Sequence, residues 1–230
     1  MPRALVVGNT DGIGLALTRR LLADGWSVVG VSRRPAELTG DTYEHRVADV
    51  AAPGYPAALS GLGPLDLCVY CAGVGELFDP GRLGDQSDAI RVNLIGAALT
   101  AEAVLPGMLA AGAGHLIGLS SLADVLISPE APGYAASKAG LSSYLLGLSK
   151  ALRPHGVAVS TVRFGFVDTK MAKGAATPMK IGVDDAVEVL MRCVRRRPAV
   201  VSYPRRMSLA ARTLRAVTRL SLLSPPPRGT

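Results

Sequence analysis

Short apolar runs and stretches of helical period alternate along this chain. The runs, rich in valine, leucine and isoleucine and bounded by glycine, proline or charged residues, predict strands at 3–8, 27–32, 66–70, 114–120, 157–162 and 198–202, and the strand–helix rhythm places a further one at 44–48. Helical patterns fall between them near 12–24, 55–61, 84–110, 132–153 and 183–195. Strand-then-helix repetition is the rhythm of a doubly wound parallel sheet, so the expected class is α/β. In such a sheet a ligand lies outside the carboxyl ends of the strands, which is where Gly8, Ser32, Asp49, Ala72, Ser121 and Gly165 fall. No internal repeat stands out.

With 230 residues, 49% of them hydrophobic, the chain suits one domain with a sizeable core, placed at 1–204. There is no apolar run of about 18 residues to span a bilayer, and Met1-Pro-Arg3 leads into the first strand without a secretory signal. The expected location is cytoplasmic, and three cysteines fit reduced thiols better than a disulfide framework. Cys68 and Cys71 have Cys-x-x-Cys spacing, but Cys193 and three scattered histidines do not complete a zinc site, and the pair sits on a strand instead of opening a helix. No metal is expected.

Much of the net charge of +7 gathers near the end of the chain, where Arg195-Arg-Arg197 and Arg205-Arg206 flank a short strand. In the 205–230 tail, Met207, Ala210, Ala211, Leu214, Val217 and Leu220 recur at helical spacing, with Arg212, Arg215 and Arg219 on other faces. This basic amphipathic helix, followed by a proline-rich end, leaves three readings open: packing on the domain or a sister subunit, a peripheral membrane anchor, or nucleic-acid binding. The absence of aromatics between the arginines speaks against nucleic acid.

Candidate chemistry centres on Tyr134-Ala-Ala-Ser-Lys138. On a helix, positions i and i+4 share a face, so the phenol and ammonium can address one reacting centre. A positive charge beside a phenol favours the phenolate and makes tyrosine a usable acid. Ser121 stands thirteen residues upstream of Tyr134. At the other end of the chain, Gly8-Asn-Thr10-Asp11-Gly12-Ile13-Gly14 joins the first strand to the first helix. Glycines let backbone approach a pyrophosphate, whose charge the following helix N-terminus favours. The Gly-xxx-Gly-x-Gly spacing differs from the common dinucleotide fingerprint.

In these motifs the chain resembles a short-chain dehydrogenase/reductase from about Ala4 to Met171, with weaker similarity to about Pro204. Gly8, Gly12, Ile13 and Gly14 look like the cofactor turn, and Asp49-Val50 resembles the adenine-contacting pair. Cys71-Ala72-Gly73 resembles the family's Asn-Ala-Gly, and Asn93 its helix asparagine. Ser121, Tyr134 and Lys138 complete the tetrad. The resemblance implies a single Rossmann-type domain that binds a nicotinamide cofactor through these residues and through Thr10, Asp11, Ser32, Arg33, Arg34, Gly165, Val167 and Thr169. It also implies that Tyr134 protonates a carbonyl oxygen while hydride arrives from the nicotinamide. Ser121 would polarise that oxygen, Lys138 would lower the phenol pKa and hold the ribose, and Asn93 would support a water that relays protons to the lysine.

At the end of the second strand, Ser32, Arg33 and Arg34 occupy the place where an acidic residue would accept from a ribose 2′-hydroxyl. Guanidinium forks suit a phosphate, so NADP(H) is preferred over NAD(H), with Arg33 the contact by resemblance. Asp11 tells slightly against it. Two departures from the family stand out: Cys71 replaces asparagine, and Phe164 replaces the proline before Gly165. Apolar Leu122, Val125, Leu126 and Ile127 suggest a lipophilic carbonyl or alcohol substrate, under a lid at 170–183 carrying Lys170, Lys173 and Lys180. The family commonly forms homodimers and homotetramers through the helices at 84–110 and 132–153. Rival readings are a catalytically silent NADP-binding regulatory or scaffold protein and, on the same scaffold, an epimerase or dehydratase.

Overall fold

Seven strands, all parallel, form one sheet in the order β3-β2-β1-β4-β5-β6-β7 in the computed structural model, which describes residues 1–170 and 180–207. The strands are β1 Arg3–Val7, β2 Ser27–Ser32, β3 Tyr43–Val47, β4 Leu67–Tyr70, β5 Gly114–Ser121, β6 Val157–Phe164 and β7 Val200–Tyr203. The helices are α1 Gly12–Ala23, α2 Tyr55–Ala58, α3 Gly84–Ile90, α4 Gly96–Ala111, α5 Pro132–Leu152 and α6 Val183–Arg196. The predicted doubly wound sheet is therefore present. The basic helix anticipated after Met207, the proline-rich tail, and Lys173 in the lid lie outside the described residues.

Strand residues alternate between two cores, as the two-residue period requires. Leu5, Val7, Val29, Val31, Cys68 and Tyr70 face one side, where Ala101, Val104 and Met108 of α4 and Leu141 and Leu145 of α5 cover them. Ala4, Val6, Val28, Leu67 and Val69 face the other, against Leu17 and Leu21 of α1 and Ala186, Val187 and Leu190 of α6. Burial on both faces explains why these strands read as unbroken apolar runs. Each buried Leu or Val contributes about 1.5–3 kcal/mol. Local signals set the helix ends: Asp11 caps α1 by accepting from Gly12 N at 2.8 Å, and Gly112, at φ 60°, closes α4 in the left-handed region.

The segment expected as one helix over 84–110 is α3 and α4 joined by a π-helical turn at Arg91–Ile95. A π turn breaks the regular i to i−4 ladder, and side chains hold it here: Tyr70 Oη donates to Val92 O at 2.6 Å. Residues Gly84–Ala111 are also, by length and mean hydropathy, the one helix among the described residues apolar enough to cross a membrane. That corrects the expectation of no such segment, although Ala97, Ala101, Val104, Leu105 and Met108 pack into the core. The helix predicted at 55–61 shrinks to one turn. β5 and β6 run to Ser121 and Phe164, past their predicted ends.

At the opposite end of β5 from the cleft, buried His115 holds Nε2 2.8 Å from Ser160 Oγ, and Ser160 donates to Pro198 O. Ser160 has committed its proton, so His115 Nε2 carries the ring hydrogen. Nδ1 is buried without a partner. Burial, reinforced by the charge of Arg197, pushes the imidazole down to about 4. An unfolded histidine takes up its proton near pH 6.5, before the folded one does. The neutral ring therefore stabilises the fold fully above about pH 6.5, and that contribution is lost as pH falls toward 4, by about 3 kcal/mol at most. Urea unfolding across this range should show a steeper acid loss of stability for the native chain than for His115→Gln; parallel curves would refute the assignment.

Candidate active site

The glycine turn is dictated by contacts that tolerate no side chain. Gly8 has φ 85°, and a Cβ on it would lie 2.6 Å from Ala72 N. A Cβ on Gly14 would lie 2.0 Å from Gly8 O. β1, the α1 N-terminus and the loop after β4 are thus pressed together at the strand ends. Thr169 reaches the same turn, since a Cβ on Gly12 would meet its Cγ2 at 3.2 Å. Thr10, Asp11, Ile13, Ala72 and Gly73 line this floor, all half-buried. The backbone cradle and the first-turn N–H groups of α1 fit a pyrophosphate.

Charged groups gather along one rim. Asp11 Oδ2 pairs with Lys170 at 2.9 Å and with Arg34 at 3.3 Å. The Lys170 ammonium is the main influence holding the Asp11 carboxyl below its usual range. Arg33 is exposed. Ser32 is buried and donates to Arg34 O at 2.7 Å, so it shapes the turn that carries both arginines. Asp49 accepts from Ala51 N at 2.9 Å, and Val50 is buried close beneath Gly96.

On α5, the four-residue spacing brings Tyr134 and Lys138 together, with the ammonium 5.7 Å from the phenol ring centroid. Lys138 is buried, and Nζ donates to Leu119 O at 2.8 Å. Burial pulls its pKa down to about 8, against an opposing influence from Cys71. Tyr134 departs from expectation. Burial raises the phenol pKa, the neighbouring Ser121 hydroxyl works the other way, and Lys138, turned to the β5 carbonyl, does not lower it in this geometry.

Ser121 and Ser120 divide their work. Ser121, half-buried at the end of β5, accepts from Ala123 N at 3.1 Å and interacts with Tyr134. Ser120 points away into a buried network: it donates to Lys138 O at 3.1 Å and lies 2.7 Å from Ser142 Oγ. Ser142 donates to Asp124 at 2.6 Å, and Asp124 pairs with Arg163. Strand alternation thus selects Ser121 as the hydroxyl facing the cleft.

Asn93 is fully buried in the π turn and clamps the loop after β4. Its Oδ1 accepts from Val74 N and its Nδ2 donates to Val74 O, both at 2.8 Å, while Nδ2 also reaches Ser137 Oγ at 2.9 Å. The side chain is therefore committed to protein groups, and the anticipated support of a relay water does not come from its amide. The clamped loop then presses on Tyr134, because a Cβ on Gly75 would lie 2.7 Å from Tyr134 Cδ2.

The two departures are accommodated. Cys71 follows β4, with its N–H on Val7 O at 2.8 Å; burial pushes the thiol up to about 12, against the pull of Lys138. Cys68 and Cys71 belong to opposite cores, which separates the Cys-x-x-Cys pair. Phe164 lets β6 continue in register with Tyr203 of β7 and is buried against the α6 side. Gly165 N donates to Tyr203 O at 2.9 Å, and buried Val167 bridges to Ile181. Of the residues expected to line a lipophilic pocket, Leu122 turns into the protein and is 4% exposed, while Ile127 is open.

Sequence reasoning missed several supporting residues: Gly75, Ser137, Asp124, Arg163, and Gln86, whose Oε1 accepts from Gly133 N at 2.9 Å ahead of Tyr134. Apart from Ser137, which stands inside the Tyr134–Lys138 pentad without being one of its spaced members, none belongs to a motif. Arg163 fell just past the predicted end of the sixth strand, so nothing marked it as buried.

The chain matches the short chain dehydrogenase family over residues 2–180. It is 34% identical over 227 residues to an uncharacterized oxidoreductase of Myxococcus xanthus, covering 91% of this chain and 90% of the relative. A short chain dehydrogenase from Burkholderia cenocepacia, solved in complex with NADP, superposes with a TM-score of 0.85 at 24% identity, covering 97% of this chain and 98% of that one. A 3-oxoacyl-[acyl-carrier protein] reductase from Brucella melitensis, in complex with NAD, gives a TM-score of 0.79 at 26% identity, covering 90% of this chain and 97% of its own. The ordered cradle, the Ser121–Tyr134–Lys138 arrangement and this family match together place the chain in the short chain dehydrogenase family of oxidoreductases.

Proposed function

We propose that this protein is an NADPH-dependent carbonyl reductase, able to oxidise the matching alcohol, with Tyr134 as the acid/base. The observation that carries the reading is the convergence of Ser121, Tyr134 and Lys138 beside the glycine cradle, where the strand ends form one cleft. The similarity to a 3-oxoacyl reductase supports carbonyl reduction. A nicotinamide cofactor, held by Gly8, Thr10, Gly12–Gly14, Ala72, Gly73, Val167 and Thr169, supplies hydride when bound.

Ser121 Oγ donates to the substrate carbonyl oxygen and orients it. Tyr134 Oη delivers a proton to that oxygen in reduction and takes it back in oxidation. The phenol's raised pKa keeps that proton in place before reaction. Lys138, cationic below about pH 8, stabilises the phenolate left behind once its ammonium turns from Leu119 O. Asn93 positions the Val74 loop, and through Ser137 it braces the helix turn that carries both residues.

Arg33 is the residue for a 2′-phosphate. Asp11, which would oppose a phosphate, has its charge engaged by Arg34 and Lys170, leaving Arg33 exposed at the end of β2. Exposed Ile90, Ile95, Leu109 and Leu146 on the 84–111 helix and α5 support assembly into a homodimer or homotetramer.

Three outcomes test the reading. Tyr134→Phe should lower turnover by at least about 100-fold with NADPH affinity nearly unchanged, measured by NADPH consumption and cofactor titration; appreciable residual turnover would remove Tyr134 as the acid. Titration should give tight NADPH and much weaker NADH binding, and Arg33→Ala should cost about 10- to 100-fold for NADPH alone. Equal losses for both cofactors would contradict the phosphate contact. Gly75→Ala should displace the Tyr134 ring and reduce kcat by about 10- to 100-fold while cofactor affinity holds; a native kcat would show that the ring tolerates the intrusion.

A further inference from the structure

Behind the adenosine end of the cleft, a chain of polar groups runs from the glycine turn to the arginine turn and takes no part in the reaction described above. Asn9, fully buried, has Nδ2 2.6 Å from Tyr43 Oη, which lies 3.1 Å from His45 Nδ1. His45 Nε2 is 2.9 Å from Arg34 O, the carbonyl to which Ser32 Oγ also donates. The direction of every bond follows from the far end. A carbonyl only accepts, so His45 Nε2 carries the hydrogen. In the neutral ring Nδ1 then accepts from Tyr43, and the Tyr43 oxygen accepts from the Asn9 amide.

Space for this relay is made by Gly30 on β2. A Cβ there would lie 2.0 Å from Asn9 Nδ2 and 2.9 Å from Tyr43 Oη. The relay ends on a single main-chain atom, Arg34 O, which is thus pinned from β2 by Ser32 and from β3 by His45. The arginine side chains on this turn are exposed and long, so the backbone beneath them is the part the fold can fix.

We propose that Tyr43 and His45 are specificity-determining positioning residues. By holding Arg34 O they orient the Ser32–Arg34 turn, so that Arg33 meets an adenosine 2′-phosphate and NADPH is selected over NADH. The inference rests on the reading of Arg33 as the phosphate contact.

The test is a titration of the full chain with NADPH and with NADH, comparing the native protein with Arg33→Ala, Tyr43→Phe, His45→Asn and His45→Gln. A glutamine amide nitrogen can take the place of His45 Nε2 and keep the donor to Arg34 O, whereas asparagine is too short. Tyr43→Phe keeps the ring while removing the hydroxyl. Thermal melting confirms that each variant is folded. His45→Asn and Tyr43→Phe should weaken NADPH about fivefold, the worth of one neutral hydrogen bond, with NADH unchanged. His45→Gln should stay within about twofold of native. Equal weakening of both cofactors by His45→Asn, or no weakening at all, overturns the inference. If Arg33→Ala removes the NADPH preference but His45→Asn keeps it, the inference alone fails. A native protein that does not discriminate, with Arg33→Ala silent, overturns the phosphate reading and this inference together.

Discussion

The side chain of Asn93 ties together the three segments on which the site depends. Its amide satisfies both main-chain groups of Val74 and reaches Ser137, so the loop after β4, the π turn and α5 are joined at one buried residue. Buried main-chain groups left unpaired are costly, and no apolar side chain could satisfy them. Through Val74 the clamp sets Gly75 against the Tyr134 ring, and through Ser137 it braces the helix turn carrying Tyr134 and Lys138. The geometry of Tyr134 thus depends on a residue set apart from it in the π turn.

A second buried network performs the matching task from β5. Ser120 donates to the carbonyl of Lys138, and Ser142, Asp124 and Arg163 extend the chain of contacts to β6. Breaking one partner of a buried ion pair leaves an uncompensated charge, which costs more than the pair contributes. Ser121 on one face of the strand and Ser120 on the other therefore connect one short sequence to the cleft and to its support.

The fold was legible because its central strands are buried on both faces. Val28–Val31 and Leu67–Tyr70 declare themselves by apolar content alone, and the glycine turn and the Tyr134–Lys138 spacing are local patterns with local causes. What stayed hidden depends on partners distant in sequence. The π turn is fixed by Tyr70, 22 residues from Val92. Ser137 and Asn93 meet across 44 residues, and neither spacing nor composition announces such a pair. The direction of the Lys138 side chain was misread for the same reason: helix periodicity places it on the right face but says nothing of a β5 carbonyl within its reach. Strand ends were underestimated where Ser121 and Phe164 continue pairing that their side chains do not advertise.

The π turn also sets the rotational phase of the helix that follows it. Ala89, Asn93, Ala97, Ala101 and Leu105 are all buried, at a constant interval of four residues. In an ideal α-helix each such step overshoots a full turn by about 40°, so the stripe would wind steadily off the sheet. A turn hydrogen-bonded to i−5 is wider and takes back part of that winding midway along the helix. One extra residue per turn in this stretch thus works as a phase correction. It brings the buried face of α3 into phase with that of α4, so that Ala89 before the turn and Ala97 after it both face the core.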